Sequence, residues 1–173
     1  MKTVNRIIAC VVTVVALVLL AGCTVSYKLN GASIDYNVIK SIQLETVTNR
    51  ASYQWGPMAP MFNTSLSDIY NRQTKLKQVK KDGDLVIAGE ITSYDQTNKS
   101  VSATGYSSMV QLKMTVQIRF KNNKDHEQDF DKSFSASREY DSSQQLSAVQ
   151  EELVQQMIDD IVDQIFNATV AIW

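Results

Sequence analysis

The sequence predicts an α+β fold, in which two helices pack on one face of a mixed, mostly antiparallel four-stranded sheet. Apolar and polar residues alternate without a break from Val110 to Phe120, a second strand pattern follows a short turn, and a long amphipathic helix pattern comes last. The whole order is strand, helix, three strands and helix. Elements in this order bury their apolar sides when both helices cover the same face of one sheet.

The first 23 residues have the three zones of a bacterial lipoprotein signal. Lys2 and Arg6 are basic, residues 7–20 carry no charge, and Leu20-Ala21-Gly22-Cys23 follows. The apolar run is shorter than the roughly 20 residues that span a bilayer but fits a signal peptide. The four-residue motif resembles the bacterial lipobox, which implies cleavage before Cys23 and a lipid on that residue. The alternative is a plain secretory signal or a core helix with a chance cysteine.

The expected organisation is a signal peptide over residues 1–22, a lipidated tether with a possible edge strand over 23–35, and a single α+β domain over 36–173. A domain of this size can bury a substantial core. Cys10 would leave with the signal peptide, so no disulfide is expected. The 17 basic and 18 acidic side chains give a net charge of −1, which argues against a nucleic-acid partner.

The first half of the domain predicts a strand, a helix and a second strand. Residues 38–44 form the first strand pattern. Pro60 suits the first turn of a helix because its missing N–H has no partner there, and helical spacing then runs to Gln73. Residues 75–81 are predicted to be a basic connection that ends in the turn 82–84. The next strand places Leu85, Ile87 and Ile91 on one face.

The second half predicts a hairpin and a helix. The alternation from Val110 to Phe120 is typical of a strand with one buried and one solvent-facing side. Residues 121–125 form a turn, and the partner strand carries Phe130, Phe134 and Ala136 on one face. Ser142 and Gln145 have the spacing of a capping box that would start the last helix. Its apolar stripe comprises Leu146, Val149, Leu153, Met157, Ile158, Ile161, Val162, Ile165 and Phe166.

No pattern predicts catalytic residues, a cofactor or a metal site. His126 lies in a polar turn between two acidic residues, where a lone histidine is more often solvated than a base. A nucleophile elbow and a glycine-rich phosphate loop are both missing from the sequence. The acidic residues at 82–84 lack the other ligand positions of a calcium loop, and those at 159–163 fit the solvated side of a helix. The chain is therefore expected not to be an enzyme.

Two basic groups remain as candidate binding residues. Lys113 and Arg119 share the solvent-facing side of the predicted hairpin, with Lys121 and Lys124 at its tip. Such a group can pair with phosphate or carboxylate groups of a lipid headgroup. Lysines on strands also favour solubility and discourage edge-to-edge pairing, which is the alternative interpretation. The second group, for which the same two interpretations stand, comprises Lys75, Lys77, Lys80 and Lys81.

Several short segments, in a fixed order, carry a resemblance to a known family. They are Asn49-Arg50-Ala51, Gln73-Thr74-Lys75-Leu76, Gly83-Asp84, Gly89-Glu90-Ile91-Thr92-Ser93-Tyr94, Tyr140-Asp141-Ser142-Ser143 and the terminal run from Asp163 through Phe166-Asn167-Ala168-Thr169-Val170-Ala171 to Trp173. Together with the lipobox, this order resembles the lipopolysaccharide-assembly lipoprotein family (LptE type) in its Bacteroidetes branch.

The resemblance implies a place and a partner in the Gram-negative envelope. It implies a lipoprotein anchored to the periplasmic face of the outer membrane and seated inside a large β-barrel (LptD type) that inserts lipopolysaccharide into the outer leaflet. The enterobacterial members match only in architecture, signal and length. The candidate lipopolysaccharide-binding residues Lys113, Arg119, Lys121 and Lys124 therefore rest on strand position and charge. The stretch after Cys23 lacks the acidic residues of a Bacteroidetes surface-export signal, which favours the periplasmic face.

The sequence thus predicts a non-enzymatic assembly factor and plug of the barrel, with lipopolysaccharide as a possible ligand. The alternative is a regulatory lipoprotein that reaches across the periplasm to activate a cell-wall synthase. Such proteins usually carry a long disordered linker after the lipidated cysteine. Here the folded sequence is expected to begin by about Ile34, which is too soon for that reach.

Overall fold

The computed structural model describes residues 34–99 and 109–170. The predicted signal peptide, Cys23 and most of the predicted tether lie outside the described residues. In the described part, no helix has the length and apolar character needed to cross a membrane. The elements are β1 (Ser41–Leu44), β2 (Thr48–Asn49), α1 (Met58–Gln73), β3 (Lys77–Val79), β4 (Leu85–Asn98), β5 (Met109–Asn122), a 3₁₀ turn (His126–Gln128), β6 (Phe130–Asp141) and α2 (Leu146–Thr169).

The strands form one mixed sheet in the order β3-β1-β4-β5-β6. Strand β1 is parallel to both β3 and β4, and β2 pairs in parallel with β4 further along the same side. The long strands β4, β5 and β6 are antiparallel neighbours. The predicted α+β class and the hairpin are confirmed.

The described sheet has six strands rather than the predicted four. The two additional strands, β2 and β3, are only two and three residues long. Strand β3 lies within residues 75–81, which were predicted to be a connection. A strand this short shows no alternation along the sequence, because it is defined by its pairing with β1 rather than by its own burial.

The core lies between the helices and one face of the sheet. Along β5 the even-numbered residues from Val110 to Phe120 are buried, as the alternation predicts. They pack with the apolar side of α1, which includes Phe62, Leu66 and Tyr70, and with α2. The buried positions of α2 include most of the predicted stripe and also Val154.

The first strand begins later than predicted, at Ser41 instead of residue 38. The Asp35 carboxylate accepts a hydrogen bond from the backbone N–H of Asn37 at 2.9 Å. The Asp35 carbonyl accepts bonds from the N–H groups of Val38 and Ile39. An aspartate that bonds the backbone in this way favours a turn, so Val38 leaves the sheet and is exposed.

The predicted capping box at Ser142 is wrong. The Asp141 carboxylate accepts the N–H of Ser143 at 2.8 Å, and the Asp141 carbonyl accepts the N–H of Gln144. This turn uses the residues that the capping box would need, and α2 begins at Leu146 after Gln145, which makes no side-chain cap bond. Helix α1, by contrast, begins at Met58 and contains Pro60 in its first turn, close to the predicted start.

Candidate functional site

The face of the sheet that α1 and α2 leave uncovered is the candidate interaction surface, and we call it the open face. It is formed by the odd-numbered residues of β5 and by the residues opposite them on β4 and β6. Most of these side chains are polar, and about half of them carry a charge. They include Ala88, Glu90, Ser93, Asp95, Gln111, Lys113, Thr115, Gln117, Arg119, Lys121, Asp131, Ser133, Ser135, Ser137 and Glu139.

Three of the four candidate cations lie on the open face. Lys113 is exposed in the middle of β5, opposite Asp95 and Ser137. Arg119 and Lys121 lie about 20 Å or more further along the strand, since each residue advances it by about 3.3 Å. The structure therefore brings Arg119 and Lys121 together near one end of the sheet and leaves Lys113 apart from them.

Arg119 belongs to a polar network with β6. Its Nε lies 3.4 Å from Asp131 Oδ2, and both side chains are substantially exposed. The Gln117 amide donates to Asp131 and accepts a hydrogen bond from the Ser133 hydroxyl. A shallow groove of about 250 Å³ next to this network is lined by residues that include Glu45, Glu90 and Arg119. An exposed ion pair contributes at most about 1 kcal/mol, so Arg119 can exchange Asp131 for an external anion at little cost.

Lys124 has a different role, because its ammonium pairs with Asp84, the residue directly before β4. Its Nζ lies 3.0 Å from Asp84 Oδ1. The other carboxylate oxygen accepts the N–H groups of Lys40 and Ser41 and the Ser41 hydroxyl. The backbone bond from Lys40 and then the bond from Lys124 lower the pKa of Asp84 to about 2. Lys124 therefore holds the β5–β6 turn against the first strand.

Three other titratable side chains, those of His126, Tyr70 and Tyr94, make hydrogen bonds within the fold. His126 Nδ1 lies 3.1 Å from Asp129 Oδ2 in the exposed turn. Burial raises the pKa values of Tyr70 and Tyr94, whose hydroxyls bond Thr169 and Gln150. Within residues 34–99 and 109–170, no three His, Cys, Asp or Glu side chains converge as a metal site would require.

Sequence reasoning missed the polar residues that join the layers. Asn63 of α1 accepts the N–H of Val47 and donates to its carbonyl, both at 2.8 Å, where the pairing with β4 is interrupted between β1 and β2. Gln150 of α2 donates to the Tyr94 hydroxyl of β4 at 3.2 Å. The available signal was a polar residue next to the apolar positions of each helix pattern, which implies a hydrogen-bond partner inside the fold.

Solved structures show the same fold at low sequence identity. A hypothetical protein from Chlamydia trachomatis has a TM-score of 0.52 and 12% identity, with 77% of this chain and 99% of that chain covered. An uncharacterized lipoprotein B from Nitrosomonas europaea has a TM-score of 0.51 and 18% identity, covering 77% and 83%. A minor lipoprotein from Acinetobacter baumannii has a TM-score of 0.50 and 18% identity, covering 78% and 92%.

The family comparison covers most of the folded domain. A search of curated proteins finds no match. The sequence model of the LptE family, described as lipopolysaccharide-assembly, matches residues 39–169, a range that extends from just before β1 to the end of α2. The resemblance found in the short sequence segments is confirmed at the level of the family. This chain belongs to the LptE family of lipopolysaccharide-assembly proteins.

Proposed function

We propose that this protein is a lipid-anchored, non-enzymatic assembly factor that plugs the β-barrel through which lipopolysaccharide enters the outer membrane. The family match over residues 39–169 carries the proposal, because this family consists of assembly factors rather than enzymes. The anchor is a lipid on Cys23, and the domain lies on the periplasmic face of the outer membrane.

The open face supports the role of a plug. The inner wall of a large outer-membrane barrel is polar, because its apolar side chains face the lipid. The open face offers hydroxyl and amide groups, among them Thr115, Ser135 and Ser137, across three long strands. Two such polar surfaces can exchange hydrogen bonds with each other, so the hydroxyl and amide groups of the open face need not be buried without partners.

The cations near the end of the open face support a contact with lipopolysaccharide. Phosphate groups bind arginine and lysine through charge-assisted hydrogen bonds. Arg119 and Lys121 lie on the same side of β5 two residues apart, and Arg119 has only an exposed pair with Asp131 to give up. Lys113 would make a separate contact. Lys124, bonded to Asp84, would act by positioning the turn rather than by binding the ligand.

Site-specific crosslinking in living cells tests this function. A photoreactive residue at Thr115 on the open face should trap a large β-barrel protein, and one at the exposed Asp68 on the outer side of α1 is the matched control. Depletion of the protein should also reduce barrel assembly and surface lipopolysaccharide. Trapping of a cell-wall synthase from Thr115, or intact barrel assembly after depletion, would contradict the proposal.

A further inference from the structure

We call the end of the sheet at which the described chain begins the proximal end. It differs from the opposite end in the residues that it exposes. Ile34, the first described residue, lines a cleft of about 510 Å³ with Val38, Ile39, Leu85 and Val170. Lys124 and other residues of the β5–β6 turn line the same cleft. Because Leu85 starts β4 and pairs with Asn122 at the end of β5, the cleft lies at the end of the sheet where these two strands meet.

An exposed apolar turn lies at the proximal end. Tyr36 and Val38 are 36% and 50% exposed, and the remaining large exposed hydrophobic residue of the described part is Tyr53, at 51%. Tyr53 stacks on Tyr94, nine residues along β4 from Leu85 and so about 30 Å from the proximal end. The hydrogen bonds of Asp35 fix the turn, so the exposure of Val38 is a consequence of a formed structure.

Three lysines border this turn. The backbone N–H of Lys75 lies 3.4 Å from the Tyr36 hydroxyl, and its ammonium lies 6.0 Å from the centre of the Tyr36 ring. Lys77 is joined to Lys40, immediately beyond the turn, by a backbone hydrogen bond of 2.9 Å. The carboxylate within the turn itself is Asp35, which bonds Asn37. Asp125 lines the same cleft, and Asp84, which accepts the Lys40 N–H, is paired with Lys124. Lys40, Lys75, Lys77 and Lys124 therefore exceed Asp35, Asp84 and Asp125 by one positive charge.

This combination matches the chemistry of an anionic phospholipid surface. A tyrosine ring places its apolar body among acyl chains and its hydroxyl among headgroups, and an adjacent aliphatic side chain adds buried apolar area. Lysines near such a surface are attracted to its anionic lipids. A polar protein surface would satisfy the lysines but would leave Val38 against water or unpaired polar groups.

The length of the tether limits how far the proximal end can lie from the membrane. The chain from Cys23 to Ile34 spans at most roughly 40 Å when it is fully extended. A lipid on Cys23 would therefore keep the proximal end within that distance of the bilayer, which raises the local concentration of the turn at the surface.

We propose that the turn 35–38, with Lys40, Lys75 and Lys77, is a membrane-contact site that places Tyr36 and Val38 in the headgroup region of the bilayer that holds the Cys23 lipid. The site orients the domain relative to the membrane, independently of the barrel. It rests on the lipidation of Cys23, which belongs to the proposed function, and not on the plug.

The test uses the full lipidated protein in vesicles of phosphatidylethanolamine and phosphatidylglycerol. V38C introduces one reactive thiol, because Cys10 belongs to the predicted signal peptide and the Cys23 thiol is acylated. A polarity-sensitive fluorophore on this thiol is quenched with iodide in water. Y53C, at a position of equal exposure about 30 Å away, is the matched control. A contact several ångströms deep should make the V38C probe about threefold less accessible to iodide than the Y53C probe.

The outcomes separate this inference from the proposed function. Flotation of the protein with the vesicles verifies the anchor, and failure to float would overturn both the lipidation and this inference. Floating protein whose two probes are quenched equally would overturn the contact site alone and leave the plug standing. Protection of the V38C probe that appears only after a barrel protein is added would identify a protein contact and would also overturn it.

The lysines are tested separately in the V38C background. Replacement of Lys40, Lys75 and Lys77 by Gln should reduce the protection in vesicles with phosphatidylglycerol and have little effect in neutral phosphatidylcholine vesicles. Protection that survives all three changes would overturn the role of the lysines. The thermal melting temperature of each variant verifies that the domain remains folded.

Discussion

The two faces of the central strands differ in what they contact, although their residues alternate along the same stretches of chain. Even-numbered residues of β5, such as Leu112 and Ile118, are fully buried beneath the helices, whereas their neighbours Lys113 and Arg119 are exposed on the open face. Burial of a large aliphatic side chain contributes about 1.5–3 kcal/mol, and an exposed ion pair contributes at most about 1 kcal/mol. The covered face therefore determines whether the domain folds, and substitutions on the open face are expected to affect stability much less.

The largest expected effect on stability comes from a substitution on the covered face. I118A removes a fully buried side chain from the centre of β5 and should lower the free energy of unfolding by about 3 kcal/mol, because the rigid core cannot collapse onto the cavity. T115A on the open face should change it by less than about 0.5 kcal/mol. Urea denaturation followed by circular dichroism measures both. Equal losses would show that the open face is packed against something in the isolated protein.

A smaller effect is expected from a substitution at Gly89, where β4 lies very close to β5. A Cβ atom at Gly89 would lie 2.6 Å from both the Gln117 carbonyl oxygen and Ile118 Cδ1. G89A should therefore destabilise the domain by about 2 kcal/mol through overpacking. A88S, at the adjacent open-face position, is the control, and its urea midpoint should stay close to that of the unmodified protein. A neutral G89A variant would mean that β4 and β5 separate without cost.

The next effect concerns the Asp84 carboxylate, which lies outside both faces and bonds Lys124 and the backbone of Lys40 and Ser41. Its folded pKa of about 2 lies below the usual value for an unfolded chain, so its stabilisation is present above about pH 4 and is lost as the pH falls towards 2. Water reaches this carboxylate and screens it, so D84N should cost about 1 kcal/mol at pH 7. Thermal melting of both proteins across this range should show the difference shrinking with acid. A constant difference would contradict the low pKa.

The smallest effect on stability, combined with a clear effect on binding, is expected from the cations of the open face. Replacement of Arg119 and Lys121 by Gln should leave the melting temperature nearly unchanged, because both are exposed. Lipopolysaccharide binding should fall about tenfold, since two charge-assisted contacts are lost. K124Q, which breaks a bond to Asp84 instead, should reduce stability more than binding. Undiminished binding by the double variant would favour the solubility interpretation.

Much of the fold was predictable because its signals are local. The alternation along β5 and the apolar spacing of α2 reflect burial, which depends on residue type and period alone. The short strands β2 and β3 were not predictable in this way, since only their pairing with neighbouring strands defines them. The sequence pattern did not predict the true start of α2, because the Asp141 carboxylate, and not the Ser142 hydroxyl, accepts a hydrogen bond from a backbone N–H of the turn.

The candidate site was predictable only in part. Period two correctly predicted that Lys113 and Arg119 share a side of β5. It gave no information on ion-pair partners, because the Asp131 that pairs with Arg119 lies on β6 and the Asp84 that pairs with Lys124 precedes β4. The exposure of Tyr36 and Val38 also required the structure, since apolar residues next to a strand pattern are otherwise expected to extend that strand.

The sequence by itself determined the α+β class, the long hairpin, the two helices and the family, because these follow from periodicity and from ordered segments along the chain. The tertiary structure decided which cations lie close together, which one is bonded within the fold, and which apolar side chains stay exposed to water. Those properties depend on residues distant in sequence, such as Asp84 and Lys124, which the sheet brings to within 3.0 Å. Electrostatic pairing acts through space over such distances, whereas a sequence pattern records only neighbours along the chain.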